Sequence, residues 1–265
     1  MQQTTRVCVS AAIAMILLSP LVCPGQTPEE KGRAIAEEAD RRYGGYGDST
    51  ARLHMVLRNR QGQVSERELR TRSLEVADGT KSVCIFDSPA DVKQTILLTH
   101  THKGAPDDQW LYLPALKRVR RIAAQNRSGS FMSSEFSYED IATHVMEKYT
   151  YQWLRDEMCD EQDCYVIDRR PVDRRESGYT RQIVWLDKAD YRMLKVEYYD
   201  RKDSLLKTLT FKDYRKYLDK FWRPHDMNMV NHQTGKSTQL IWSDVAFHTG
   251  LTENDFNQAN LTTIR

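Results

Sequence analysis

The chain has 265 residues, of which 40% are hydrophobic and 29% are charged. This is enough apolar material to bury a sizeable core in one or two domains, and it excludes a fully disordered chain. The formal net charge is only +2, and it falls to +1 without the first 26 residues, whose one charged side chain is Arg6. A protein so close to neutral has no overall attraction for nucleic acid, and we expect no nucleic-acid partner.

The first 26 residues have the order of a secretory signal. Arg6 precedes an apolar stretch at residues 7–22, and Cys23, Pro24 and Gly25 follow it. The apolar stretch is shorter than the roughly 20 residues that span a bilayer. We predict that residues 1–26 are a signal peptide, cleaved near Gly25 or Gln26. Lipid attachment at Cys23 is the alternative, which Val22 disfavours because a small residue is expected before a lipidated cysteine.

A single helix is predicted directly after the signal. Thr27 and Glu30 have the spacing of a capping box, and Pro28 suits the first turn. Apolar side chains recur every four residues from Ile35 to Tyr43, and two glycines follow. Residues 28–43 are therefore predicted to form an amphipathic helix.

From residue 48 onward the pattern is that of short strands separated by turns rich in Gly, Pro and Asp. Consecutive strands with short links predict an antiparallel meander of about 11–12 strands, and so large a sheet must curl towards a barrel. No linker or repeat divides residues 27–265, which we interpret as one mainly β domain with helices (α+β).

The strand pattern stops between residues 123 and 146. The stretch "GSFMSSEFSYED" in this region carries four large apolar or aromatic side chains on what the pattern indicates is a loop and a short helix: Phe131, Met132, Phe136 and Tyr138. The interior of a strongly curved sheet of this size is too large for its own side chains to fill. We therefore predict that these four residues belong to a lid that covers an apolar cavity.

Large side chains in the apolar strands are the candidates for the cavity wall, although an error of one residue in strand phase would turn any of them outward. The predicted lining residues are Trp110, Leu113, Trp153, Trp185, Met193 and Trp242.

A basic run and two cysteines complete the candidate sites. Arg118, Arg120 and Arg121 alternate across a strand, where they either meet lipid headgroups or form salt bridges with the acids of the lid. Cys159 and Cys164 are five residues apart and, in an oxidising compartment, are predicted to form a disulfide.

No catalytic or metal site is predicted. His100 and His102 share a strand face, but no third ligand stands at a telling spacing. His225 is followed by Asp226, yet no nucleophile elbow or activated cysteine accompanies them. We expect no metal, no cofactor and no enzymatic activity.

Two stretches, "DDQWLYLPALKRVRRI" and "SGSFMSSEFSYEDI", resemble the signature of the outer-membrane lipoprotein-sorting protein family, relatives of the periplasmic carrier LolA. "GYGDSTARLHMVLRNRQGQ" and "FDSPADVKQTILLTH" are similar to the same family, so the resemblance covers nearly the whole chain after the signal. The chain departs from the family pattern at Gln94 and Ser133, where glycine is usual, and at Glu135, where aspartate is commoner.

The resemblance implies a half-open barrel, LolA-like or LolB-like, whose helices cover an apolar cavity. It also implies a periplasmic carrier that binds acyl chains of lipids or lipoproteins and passes them between membranes, with peripheral membrane contact. An inner-membrane transporter of the RND/MMPL type is the implied partner. The alternative is a periplasmic sensor or accessory subunit that docks on a membrane protein and carries no cargo.

Overall fold

The structure is a computed structural model that describes residues 25–264, so the predicted signal peptide lies almost wholly outside the described residues. The helices and strands are α1 (Pro28–Tyr43), β1 (Asp48–Arg58), β2 (Val64–Val76), β3 (Gly79–Ser88), β4 (Ile96–His102), β5 (Asp108–Leu113), β6 (Arg118–Ile122), α2 (Tyr138–Ile141), β7 (Tyr149–Cys159), β8 (Gln162–Pro171), β9 (Arg181–Asp187), β10 (Met193–Tyr199), β11 (Leu205–Tyr217), β12 (Phe221–Asn231) and β13 (Ser237–Phe247). Short 3-10 turns lie between several of them and after β13.

Helix α1 begins and ends where the sequence predicts. The Thr27 hydroxyl accepts a hydrogen bond from the backbone N–H of Glu30 at 3.1 Å, and the Glu30 carboxylate accepts one from the Thr27 N–H at 2.9 Å. These two bonds form the predicted capping box and satisfy N–H groups that a helix start leaves free.

The thirteen strands described form one antiparallel sheet in the order β6-β5-β4-β3-β2-β1-β13-β12-β11-β10-β9-β8-β7. The mainly β, antiparallel prediction is therefore confirmed, with one strand more than the upper end of the predicted range. The thirteenth strand is β6, the strand of the basic run, whose charged sequence "RVRRI" lacks the apolar alternation on which the predicted strand number rests. The first strand, β1, pairs with the last, β13, in the middle of the sheet.

The sheet does not close into a barrel. Strands β6 and β7 follow each other in the sequence but occupy opposite edges of the sheet. Residues 123–148, here called the connecting segment, must therefore cross from one edge to the other. Charged side chains protect the edge at β6, and α1 packs on the edge strand β7, so both edges are shielded from strand pairing with other chains.

The inner face of the sheet packs with α1 and the connecting segment in the main hydrophobic core. Two smaller clusters lie on the outer face. One joins β3, β4 and β5 to the C-terminal segment through Phe256 and Leu261, both fully buried, and the other joins β8, β9 and β10. Parts of the sheet are therefore apolar on both faces.

The predicted disulfide is absent: Cys84, Cys159 and Cys164 are free thiols in the described residues. In the β7–β8 hairpin Cys164 pairs with Glu157, whereas Cys159 pairs with Gln162. The two cysteines are thus diagonal neighbours rather than opposite ones. Their side chains contact each other as two thiols, without a covalent bond.

Candidate functional site

Directly opposed residues of β8 to β12 form an apolar row on the inner face of the sheet. Its members are Ile167, Val184, Val196, Leu209 and Met229. All five are at most 4% exposed. Side chains that alternate across a strand meet their counterparts on neighbouring strands, so one apolar position on each strand produces a continuous apolar surface.

A second row runs beside the first on the same face of the sheet, two residues away on each strand, and this row is polar. We call it the polar row, and its members are Tyr151, Arg169, Gln182, Tyr198, Lys207 and Asn231 on β7 to β12. A buried row of this kind requires hydrogen-bond partners, because a polar group buried without one is costly.

Between the sheet, α1 and the connecting segment lies a cavity of about 1370 Å³. Apolar side chains from both halves of the sheet line it, and so do the alanines at positions 36 and 39 of α1. Small-molecule sites in proteins usually measure roughly 300–1,000 Å³. The cavity therefore has room for a ligand larger than an ordinary small molecule.

The connecting segment lies against this cavity. Phe131 and Phe136 line it and are each only 1% exposed. The Phe131 ring contacts Phe86 on β3 and Tyr138 on the segment itself, both with centroids 5.7 Å apart. The aromatic residues of this segment are thus part of the main core.

Polar contacts fix the connecting segment to both halves of the sheet. The Lys207 ammonium on β11 donates to the Asp140 carboxylate at 2.6 Å and to the Glu135 carbonyl at 2.8 Å. The Asn231 amide on β12 donates to the Glu135 carboxylate at 2.7 Å. On the far side, Gln109 of β5 donates to the Tyr138 carbonyl at 2.9 Å. Two members of the polar row are therefore partnered by the connecting segment.

Glu139 is a titratable group of this segment whose pKa is strongly perturbed. Its carboxylate accepts hydrogen bonds from the Ser177 hydroxyl and from the Gly178 N–H. Desolvation nevertheless outweighs these bonds and raises the pKa of Glu139 to about 7.

The predicted lining residues divide between the two faces of the sheet. Met193 and Trp242 line the cavity, together with Phe131 and Phe136. Leu113, Met132, Tyr138 and Trp153 pack against the main core without lining this cavity.

Trp110 and Trp185 lie on the outer face instead. Trp110 packs in the cluster that holds the C-terminal segment, and Trp185 packs in the outer cluster of β8 to β10. The reason is strand phase: Val184 and Leu186 point inward, so Trp185 between them must point outward. Because β9 is buried on both faces, its sequence lacks the alternation of polar and apolar residues that would have shown which side chains point inward.

The basic run lies on the edge strand β6, where Arg118, Arg120 and Arg121 are exposed. Arg121 forms an ion pair with Asp108 of β5. Three acids of the connecting segment have other partners: Glu135 accepts from Asn231, Glu139 from Ser177 and Gly178, and Asp140 from Lys207.

Arg169 and Lys207 are site residues that the sequence pattern did not single out. A signal for Arg169 was present, because Ile167 and Arg169 are two apart on β8 and must share the inner face. A cation on the same strand face as a buried isoleucine indicates a charged group that has polar partners inside the fold.

Neither histidine of β4 lies in a metal-type cluster. His100 contacts the Phe256 carbonyl at 2.9 Å, and His102 pairs with Asp78 at 2.8 Å. Among residues 25–264 there is no group of three or more His, Cys, Asp or Glu that could hold a metal ion. No helix in this range is both long and apolar enough to cross a bilayer.

Comparison with known proteins identifies the family. A family model described only as an uncharacterized protein matches residues 78–263. The crystal structure of a domain described as an outer membrane lipoprotein-sorting protein, from Vibrio parahaemolyticus, is 56% identical, with a TM-score of 0.86, and the match covers 88% of this chain and 99% of that one. A search of the curated proteins finds no match.

Two further crystal structures have the same fold. A DUF1329 family protein from Desulfovibrio piger is 33% identical, with a TM-score of 0.83 over 89% of this chain and 99% of that one. A LolA superfamily protein from Nitrosomonas europaea is 20% identical, with a TM-score of 0.70 over 86% and 98%, and shows the shared fold. The chain therefore belongs to the family of outer-membrane lipoprotein-sorting protein domains, and it shares its fold with a LolA superfamily protein.

Proposed function

We propose that this protein is a periplasmic carrier that encloses acyl chains of lipids or lipoproteins in its cavity and passes them between membranes. The observation that carries the proposal is the cavity of about 1370 Å³ with its apolar rows. Each buried methylene contributes roughly 0.8 kcal/mol, so one C16 chain contributes about ten before ordering costs. Burial of this size suffices to hold a lipid away from water.

In this proposal residues 1–26 are the export signal and residues 27–265 are the carrier domain. The half-open barrel is the curved sheet with its unpaired edges at β6 and β7. The connecting segment is the cover of the cavity, with α1 as its second wall. The exposed Arg118 and Arg120 give peripheral contact with anionic headgroups, and an RND/MMPL-type transporter supplies or receives the cargo.

Mass spectrometry of lipid extracted from the purified protein tests the carrier function directly. We expect acyl lipids in near-stoichiometric amount. Met227→Glu places a carboxylate in the cavity wall and should reduce the bound lipid at least tenfold. Ile241→Glu is the matched control, because its side chain is 38% exposed, and it should leave the bound lipid unchanged.

Tryptophan emission gives a second readout. Trp242 lines the cavity, whereas Trp185 is on the outer face. Trp222 lines the cavity as well, so a titration with palmitate should change the emission of the parent and of Trp185→Phe, and change it far less in Trp222→Phe/Trp242→Phe. A parent protein that neither retains lipid nor binds added palmitate would reject the carrier function. That result would favour the docking subunit that carries no cargo.

A further inference from the structure

The cavity wall contains a cation that no carboxylate neutralises. Arg169 lines the cavity, and its guanidinium donates to the side-chain oxygen of Gln182 from both Nε, at 2.8 Å, and Nη2. Its planar group also lies 5.2 Å from the ring centroid of Tyr149. Among the described residues Arg169 has no ion pair, and its second amino group, Nη1, has no hydrogen-bond partner.

The rest of the polar row shows what is unusual about this position. Lys207 and Asn231 belong to the same row, and the connecting segment supplies an acidic side chain to each of them. It supplies none to Arg169. A guanidinium in a partly desolvated wall is stabilised by an anion, because a buried charge without a counter-charge is costly.

Four acids that line the cavity are already engaged. Asp140 accepts from Lys207 and Tyr179, and Glu139 accepts from Ser177 and Gly178. Asp107 and Glu176 both pair with Arg127, and Asp107 also pairs with Lys148. None of the carboxylates that line the cavity, Asp40 and Glu147 included, forms an ion pair with Arg169, so the position is open to the counter-charge of a ligand.

The surroundings of Arg169 suit an anionic group with several oxygen atoms. The hydroxyls of Tyr149 and Tyr198 belong to the same wall and have no hydrogen-bond partner among residues 25–264. His144 stacks on Tyr149 with centroids 4.9 Å apart, and burial lowers its pKa well below the usual value, so it is neutral at pH 7. Arginine is the side chain best suited to carboxylate and phosphate because it offers a planar fork of donors.

We propose that Arg169, with the hydroxyls of Tyr149 and Tyr198, binds the carboxylate or phosphate of an acidic acyl lipid whose chain lies along the apolar row. The inference rests on the proposed carrier function and narrows its cargo. An acyl chain that ends in a neutral ester or amide leaves Arg169 without a partner. The subsite therefore selects acidic lipids over neutral ones.

Two matched pairs of probes test this on delipidated protein at pH 7.5. Palmitate is compared with methyl palmitate, and 1-palmitoylglycerol 3-phosphate with 1-palmitoylglycerol. Each pair has one chain length and differs in the anionic group. A charge-assisted hydrogen bond corresponds to a preference of roughly 10- to 100-fold for the acidic member. The pair with the larger preference identifies carboxylate or phosphate as the natural group.

Variants of Arg169 test whether this residue causes the preference for acidic lipids. Arg169→Gln should reduce it to less than about threefold while the affinity for the neutral lipids is retained. Arg175→Gln removes the same charge from an exposed loop position and should keep the full preference. Arg169→Lys keeps the charge and loses the fork, so an intermediate preference is expected, and it replaces Arg169→Gln if that variant does not fold.

Equal affinity for acidic and neutral lipids in the parent would overturn the subsite and leave the carrier function intact. A full preference that persists in Arg169→Gln would also overturn it. Failure of the parent to bind any of the four lipids would instead reject the carrier function itself.

Discussion

Lys207 and Asp140 form an ion pair in the interior of the protein, with the ammonium 2.6 Å from the carboxylate and side-chain exposures of only 5% and 3%. The pair joins β11 to the connecting segment, 67 residues apart in the sequence. Asp140 also accepts from the Ser137 N–H and the Tyr179 hydroxyl, so the carboxylate is fully engaged. The connecting segment is therefore held in place by charge as well as by its aromatic side chains.

Removal of one partner of this pair should be strongly destabilising. Lys207→Met leaves the Asp140 carboxylate buried without its counter-charge, at a cost of about 3–5 kcal/mol in the free energy of unfolding, measured with urea. Lys207→Met/Asp140→Asn should cost less than the sum of the single changes. Arg215→Met breaks an exposed pair with Asp213 and should cost less than about 1 kcal/mol. Equal effects of Lys207→Met and Arg215→Met would contradict this account.

The aromatic core of the connecting segment leads to a second prediction. Phe131→Ala should lower the free energy of unfolding by about 3–5 kcal/mol, because the ring is fully buried against Phe86 and Tyr138. Leu116→Ala, at a side chain that is 63% exposed, should change it by less than about 0.5 kcal/mol. Chemical denaturation of both variants provides the measurement. A small effect of Phe131→Ala would indicate that the segment is held only loosely over the cavity.

Much of the architecture could be predicted because it depends on local signals. The capping box at Thr27 and Glu30 begins α1, and turn residues separate successive strands. The side chains that point towards the cavity were harder to predict in strands that are buried on both faces. Trp185 is apolar and so are its neighbours, and only the covering elements decide which face meets the cavity.

The polar row depends on register across several strands, which a single sequence does not reveal. Arg169 and Gln182 are opposite one another because β8 and β9 pair in one register, and Tyr198 and Lys207 because β10 and β11 pair in another. Cover of the outer face by Phe256 likewise depends on a contact between distant parts of the chain. The sequence can therefore place Arg169 on the inner face through Ile167, but it cannot show which residues stand opposite Arg169 on the neighbouring strands.

The two departures from the family pattern at glycine positions have a structural consequence. Gln94 and Ser133 adopt left-handed backbone conformations, with φ of 62° and 63°. For a side chain with a Cβ atom this conformation costs roughly 1–2 kcal/mol, and glycine adopts it freely. The usual glycines of the family are thus explained by backbone geometry.

Gln94→Gly and Ser133→Gly are each expected to raise the free energy of unfolding by up to about 1 kcal/mol, since the relief of strain exceeds the entropy that glycine adds to the unfolded chain. Lys93→Gly is the control beside Gln94. Its φ is not positive, so it should lower the stability by roughly 0.5–1 kcal/mol. Thermal unfolding scans distinguish the opposite signs, and a loss of stability in all three variants would argue against strain.

Glu139 should make stability depend on pH between its ordinary pKa of 4.5 and its folded value of about 7. Because the folded state holds the proton more tightly, the contribution is fully present below pH 4.5 and is lost as the pH rises towards 7. The loss amounts to up to about 3 kcal/mol. Glu139→Gln removes this dependence, so the variant should match the parent near pH 4 and exceed it at pH 8. Urea unfolding of both proteins across this range gives the difference, and a difference that does not vary with pH would exclude Glu139 as its source.

The close packing of α1 on β7 depends on Gly32. A Cβ atom at this position would stand 2.4 Å from the Trp153 backbone nitrogen and 2.6 Å from the Gln152 carbonyl carbon. Backbone atoms of a paired strand cannot move aside as a flexible side chain can. The helix itself must therefore shift if the position gains a side chain.

Gly32→Ala should consequently destabilise the protein by about 1–3 kcal/mol, although alanine is the better helix former by about 1 kcal/mol. Displacement of α1 also moves Ala36 and Ala39, which line the cavity, so the amount of bound acyl lipid should fall in the same variant. Gly104→Ala is the matched control for stability, since a Cβ there meets nothing within 4 Å, and it should leave the melting temperature unchanged. Melting temperature and extracted lipid, measured on both variants, test the two effects together. A Gly32→Ala protein that melts and binds lipid like the parent would show that α1 is not fitted to β7 at this glycine and does not form a fixed wall of the cavity.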